Sequence, residues 1–218
     1  MSNPLLLAIF VLGLFLFISF YFVSSLLYKN RHKTKYHFYQ MFPYEFNYPS
    51  VFKDNLYGNL LFVLSSLSIV TFYIINPIDS IYRILTIVVA ILLTAIMICL
   101  VFIPLYYLRT HMVLSAIEMV LPIALTMFNF FMAFDKYKID VNQLDKTLSL
   151  ISMIISGLLA FSSVILILNP KLSFKIYYDK DNDGNVRRPK IIHLALTEWL
   201  AIFTYFASPL AVVLLLII

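Results

Sequence analysis

Of 218 residues, 62% are apolar and only 12% charged; the net charge is +5, and the chain holds 20 Phe, 15 Tyr and 4 Gly. A soluble domain carries roughly 25% charged residues to coat its surface, so a water-exposed globular enzyme is excluded and lipid is the expected solvent for most of the chain. The cations flank apolar runs instead of forming a basic module, which excludes nucleic acid as their partner, and the single cysteine, Cys99, excludes an intrachain disulfide.

A bilayer core takes about 20 mainly apolar residues per helix. Six runs meet that length, so the expected fold is an all-α integral membrane protein, one polytopic domain over residues 1–218. The first helix is expected over about 5–28. The chain starts uncharged, Met-Ser-Asn-Pro, and Lys29, Arg31, Lys33 and Lys35 follow the helix, the pattern of a retained anchor and not of a cleaved leader. The second helix is expected over about 56–75, ended by the turn signal Asn76-Pro77-Ile78-Asp79-Ser80. The third covers about 81–108, where Arg109-Thr110-His111 breaks the run, and the fourth about 112–134. The fifth covers about 148–168 and stops at Asn169-Pro170; the sixth covers about 194–218. These runs do not alternate, which excludes barrel strands. No segment recurs, so an inverted repeat of the kind transporters carry is not supported.

Lys and Arg set the expected sidedness. The first, third and fifth connections hold twelve of them, including Lys53, Lys171, Lys175, Lys180, Arg187, Arg188 and Lys190. The opposite side holds four: Arg83, Lys136, Lys138 and Lys146. The expectation is a multi-pass protein of the cell membrane, with residues 29–55 and 169–193 as cytoplasmic segments, short outer loops and both termini outside. Its first partner is then membrane lipid, the anionic inner leaflet in particular.

The two cytoplasmic segments differ in character. Residues 36–52 interleave Tyr39, Phe42, Tyr44, Phe46 and Tyr48 with Pro43 and Pro49, which forbid a regular helix. Such a strip either lies along the headgroups or forms a docking surface for a protein partner on the cytoplasmic side. In residues 169–193, Asp179, Asp181, Asp183 and Gly184 match the opening of a calcium loop, but Arg187 and Lys190 occupy its ninth and twelfth positions. A β-hairpin closed at Asp183-Gly184 explains the same residues.

Ionisable groups inside an apolar helix are costly, and each needs an account. Glu118 stands a few residues into the fourth helix, with Pro122 four residues on and Asn129 eleven on, on nearly one face beside Ser115. This stripe is expected to point into the bundle. Glu198 lies at a similar level in the sixth helix. Arg109, His111 and His193 are near enough in this topology to form a carboxylate–cation network with the two acids. On the fifth helix Ser149, Ser152, Ser156, Ala160 and Ser163 form a stripe of small residues suited to close packing against Thr197, Ala201, Thr204 and Ser208.

No zinc-protease, nucleophile-elbow or phosphate-loop motif is present, and one Cys with four His offers no metal-ligand spacing. No catalytic residue, metal or cofactor is therefore expected. The leading expectation is a non-enzymatic subunit, assembly or regulatory factor acting through its cytoplasmic face. The alternative is a small solute, proton or ion transporter with Glu118 on the path, and a weaker one is a lipid-modifying membrane enzyme.

Overall fold

Apolar surroundings leave the helix as the way for a single segment to satisfy its own backbone, and the computed structural model is helical in each of the six runs. It describes residues 3–47, 53–103, 108–172, 179–180, 186–187 and 189–217. The helices are α1 (Asn3–His32), α2 (Leu56–Ile75), α3 (Tyr82–Phe102), α4 (Leu108–Ile139), α5 (Gln143–Ile167), α6 (His193–Ala207) and α7 (Pro209–Leu216). α6 and α7 join into one span, so six segments are long and apolar enough to cross a membrane. Two 3₁₀ turns, Pro43–Asn47 and Lys53–Asn55, stand between α1 and α2. Before α6, Asp179–Lys180 pairs antiparallel with Val186–Arg187, Asp179 opposite Arg187. The Asp183-Gly184 turn lies outside the described residues.

Helix ends follow local chemistry. Asn76 stops α2: its side chain accepts the Ile78 amide at 3.0 Å, an Asx turn of the kind that competes with helix. Asn142 caps α5 by accepting the Leu144 amide at 3.1 Å. Some boundaries differ from expectation: α1 runs on to His32, α4 to Ile139, and α5 begins already at Gln143. α3 stops at Phe102 and α4 starts at Leu108, so Arg109, Thr110 and His111 form the first turn of α4 and not a break. Charged residues tolerate helix; a proline inside one removes a backbone donor, and Pro104 stands between the two helices.

The last span forms the axis. Of its most apolar 18-residue window 72% is buried, against 22% for the first and for the fifth span. Its break comes from Pro209, whose missing N–H leaves the Tyr205 carbonyl without its helical donor. The Ser208 hydroxyl supplies the replacement at 2.9 Å. Around this point Tyr73, Tyr205, Phe206, Leu125, Met132 and Val212 are fully buried. The outer faces stay apolar: Phe15, Ile84 and Phe161 are exposed, an arrangement suited to lipid and not to water.

Small residues set the close contacts. Ser149, Ser152, Ser156, Ala160 and Ser163 are all buried. The Ser163 hydroxyl meets that of Thr204 at 3.3 Å, and the Ser152 hydroxyl donates to the Ala211 carbonyl at 2.8 Å. α5 thus packs on the last span through the expected stripe. Between α1 and α2 the close points are Gly13, where an added Cβ would press on Ile69, and Gly58, where it would collide with Ser24 and Asn55; at Gly157 the nearest atom is a Phe130 ring carbon at 3.9 Å. Overpacking costs about 1–3 kcal/mol where nothing can yield. Gly58→Ala is therefore expected to lower the thermal midpoint of the purified protein by several degrees, and Gly157→Ala to leave it within a degree or raise it, in a thermal-shift measurement in mild detergent.

Candidate functional site

The α1–α2, α3–α4 and α5–α6 connections share one end of the bundle, the basic end. There the segment after α1 folds inward. The Tyr36 hydroxyl donates to the Phe42 carbonyl at 2.8 Å and accepts from the Trp199 indole N–H at 3.0 Å. The Arg31 guanidinium donates to the Phe46 carbonyl at 2.7 Å and pairs with Asp54 at 2.9 Å. The Glu45 carboxylate caps the Phe42 amide at 2.9 Å, and the Ile192 amide donates to the Tyr39 carbonyl at 2.8 Å. Tyr36 stacks on Phe46 with centroids 4.0 Å apart. Burial drives the Tyr36 phenol well above the ordinary tyrosine range, against the Trp199 hydrogen bond that pulls it down. The group therefore stays a neutral donor.

This overturns the surface reading of the aromatic strip for two of its members. Phe42 and Phe46 are 2% and 1% exposed and offer nothing to headgroups or to a partner. Tyr44 is half-buried and its ring meets the His111 ring edge-on at 4.7 Å. Tyr39 is the exposed member; Tyr48 lies outside the described residues. The physical reason is that the contacts holding the strip down come from Arg31, Ile192 and Trp199, all distant in sequence.

Beneath the folded segment is a cavity of about 40 Å³, room for about three waters at roughly 10–15 Å³ each. Its polar wall consists of Asn47, Asn55, Asn59, His111, Ser115, Glu118 and Glu198. Helical spacing explains the set. Asn55 and Asn59 are one turn apart at the start of α2. His111, Ser115 and Glu118 recur at four and three residues on the first turns of α4, and Glu198 sits in the second turn of α6. The Asn55 amide donates to the Asn59 oxygen at 3.2 Å, and the Ser115 hydroxyl is the hydrogen-bond partner of Glu198. Asn47 Oδ1, Asn55 Oδ1, Asn59 Nδ2 and His111 Nδ1 are buried with no protein partner. Buried polar atoms are ordinarily paired. Four orphans around one small cavity mark a place for water or a polar ligand.

The expected network forms only in part. Glu118 and Glu198 come together, 3% and 5% exposed, and within electrostatic reach of each other. His111 joins them. Arg109 does not: it is exposed and forms no ion pair among the described residues. His193 is half-buried at the start of α6 and is not part of the cavity wall. Two acids therefore share a site without a compensating side-chain cation among the described residues, and a buried carboxylate needs a proton or a countercharge. No group of three His, Cys, Asp or Glu is placed to hold a metal among the described residues. Asn55 and Asn59 were not anticipated, although an Asn inside an apolar run four residues after another Asn is itself a signal.

Asn129 belongs to a separate polar layer deeper in the bundle. Its amide donates to the Tyr73 hydroxyl at 3.0 Å and to the Ser208 carbonyl at 3.2 Å, and Tyr73 meets the Ser208 hydroxyl at 2.7 Å. Between this layer and the cavity, Tyr205 is hydrogen-bonded to Thr94 and to the Ser66 carbonyl. Thr94, Tyr205 and Ser66 each lie one helical turn beyond a cavity-lining residue: Met97, Ile202 and Phe62. At the far end the Ser80 hydroxyl donates to Asp135 at 3.0 Å.

Compared with protein-family models, with curated proteins and with solved structures, the chain matches none.

Groups in contact couple by about 0.5–3 kcal/mol, whereas separated groups add within about 0.5 kcal/mol. In denaturation cycles, Glu118→Gln with Glu198→Gln is expected to be non-additive, and Glu118→Gln with Arg109→Gln additive. Coupling of Glu118 to Arg109 instead of Glu198 would contradict this geometry.

Proposed function

We propose that this chain is a multi-pass membrane protein that moves protons between its two faces, with Glu118 and Glu198 as the exchanging groups. The observation that carries this reading is the pair of buried carboxyls sharing one small cavity with unpaired polar atoms and, among the described residues, no side-chain cation. Ionisable residues inside a membrane default to ion or proton paths. The size of the cavity favours a proton, handed through one to three waters, over a hydrated solute. The layers of hydroxyls beyond it, Thr94 with Tyr205 and then Tyr73 with Ser208, offer donors and acceptors in series toward Asp135. The excess of Lys and Arg supports the basic end as cytoplasmic, and the Asp179–Lys180 pairing with Val186–Arg187 supports a hairpin over the last basic-end connection.

A second reading, a non-enzymatic subunit or assembly factor, keeps one specific support. Phe38 and Tyr39 are exposed beside Lys33 and Lys35 at the basic end, which is a surface a partner could use. It has lost Phe42 and Phe46, the centre of the strip that first suggested it.

Vesicles containing the full chain, an internal pH dye and an imposed membrane potential test the proposal. Proton uptake above protein-free vesicles is expected, and Glu118→Gln should lower it by at least about tenfold, a modest share of what a positioned proton-transfer group contributes. Uptake indistinguishable from empty vesicles, or unchanged in Glu118→Gln, would defeat the transport reading.

A further inference from the structure

Two helical faces near the basic end border an open groove, with Ile18, Phe22 and Phe203 exposed and Trp199 at its buried base. On α1, Phe17, Ile18, Tyr21 and Phe22 recur at the spacing of one stripe; on α6, Leu196, Trp199, Leu200 and Phe203 do the same. The helices touch on their inner sides, where Phe17 stacks on Phe206 with centroids 4.1 Å apart, and diverge outward. Phe38 lines the groove at the basic end and Leu166 of α5 borders it. The space is about 510 Å³ with a wholly apolar wall, within the roughly 300–1,000 Å³ of sites that take a small ligand.

Exposed cations stand in the chain close to the basic-end wall of this groove. Lys35 is exposed three residues before Phe38, and Lys190 is exposed two residues before Ile192, whose amide holds the Tyr39 carbonyl at 2.8 Å. Lys33 is exposed as well and takes the left-handed conformation at the end of α1, φ 58°, a position usually given to glycine. Of the acids in the α1–α2 connection, Asp54 pairs with Arg31 and Glu45 caps the Phe42 amide. An apolar slot with lysines close in the chain to its basic-end wall matches one kind of molecule, an acyl chain carrying an anionic headgroup. A second copy of this chain fits poorly, because it would bring the same lysines together.

We propose that the groove between α1 and α6 is a selective site for an anionic glycerophospholipid, one acyl chain lying along Trp199 and the phosphate held by Lys35 and Lys190. The site rests on the membrane reading above and is independent of proton movement. Trp199 fixes the acyl position, since its indole N–H is tied to the Tyr36 hydroxyl at 3.0 Å and the Met41 carbonyl at 3.1 Å. It is also the only tryptophan in the chain, so the tryptophan fluorescence comes from the wall of this groove.

The full chain is reconstituted into zwitterionic vesicles containing a minor fraction of either dibrominated phosphatidylglycerol or dibrominated phosphatidylcholine, bromine being a contact quencher. A cation beside an anionic headgroup is worth on the order of fivefold in association. Half-quenching is therefore expected at an at least about fivefold lower fraction of the anionic lipid. Lys35→Gln with Lys190→Gln, both at exposed positions, should bring the two curves together, as should high salt. Equal quenching by the two lipids in the unaltered chain would overturn the site. So would absence of quenching in a chain that stays with the vesicles through an alkaline wash, which would mean that something else covers the groove. Loss from the vesicles in that wash overturns the membrane reading itself, and the site with it.

Discussion

Ser208 is the point on which three helices close. Pro209 interrupts the last span, the Ser208 hydroxyl takes up the Tyr205 carbonyl that the interruption frees, and the same hydroxyl meets Tyr73 of α2 while the Ser208 carbonyl accepts from Asn129 of α4. In an apolar surrounding, a broken helix can persist only where neighbours re-satisfy its backbone. Each of these groups answers a donor or acceptor that would otherwise be stranded at 0% or 1% exposure. The proline break thus fixes where α2 and α4 must stand relative to the axis, and that placement sets the register of everything toward the basic end.

From that register the cavity follows. With α2 and α4 held against the axis at Tyr73 and Asn129, their basic-end turns bring Asn55, Asn59, His111, Ser115 and Glu118 into the same space as Glu198. The folded segment 36–47 then covers the space, pinned by Arg31, Trp199 and Ile192. Unpaired polar atoms occur elsewhere in the bundle, Asn129 Oδ1 and Ser156 Oγ among them, but those of Asn47, Asn55, Asn59 and His111 gather around the cavity. A group left unpaired in a low-dielectric interior is destabilising, so their gathering in one place is the feature that function best explains.

The helices were legible because their signal is local. Runs of apolar residues near bilayer length, ended by Asn76-Pro77 and Asn169-Pro170, place α2 and α5 with little ambiguity. The small-residue stripe of α5 was readable for the same reason, through spacing alone. Glu118 and Glu198 stood out because acids are rare in such runs. What the residues could not convey was pairing at a distance. Arg109 looked like a natural partner for Glu118, yet nine residues of helix turn separate them, and at the start of α4 the guanidinium faces outward. Phe42 and Phe46 carry the composition of an interfacial strip, and only the hydrogen bonds to Phe42 and Phe46 carbonyls from Tyr36 and Arg31 reveal that the strip is folded in. The α3–α4 boundary lies ahead of Arg109 and not at it, because charge alone does not break a helix.

Everything here depends on hydrocarbon around the six spans, with the two long connections on one face. Cys99, exposed on the outer side of α3, and single cysteines placed at Lys35, Lys190 and Val141 in a Cys99→Ser background, test this directly. With a membrane-impermeant maleimide applied to sealed, oriented vesicles, Cys99 of the native chain should stay unlabelled until detergent is added. Positions 35 and 190 should label from the same face and position 141 from the other. Prompt labelling of Cys99, or positions 35 and 190 reacting from opposite faces, would contradict the account.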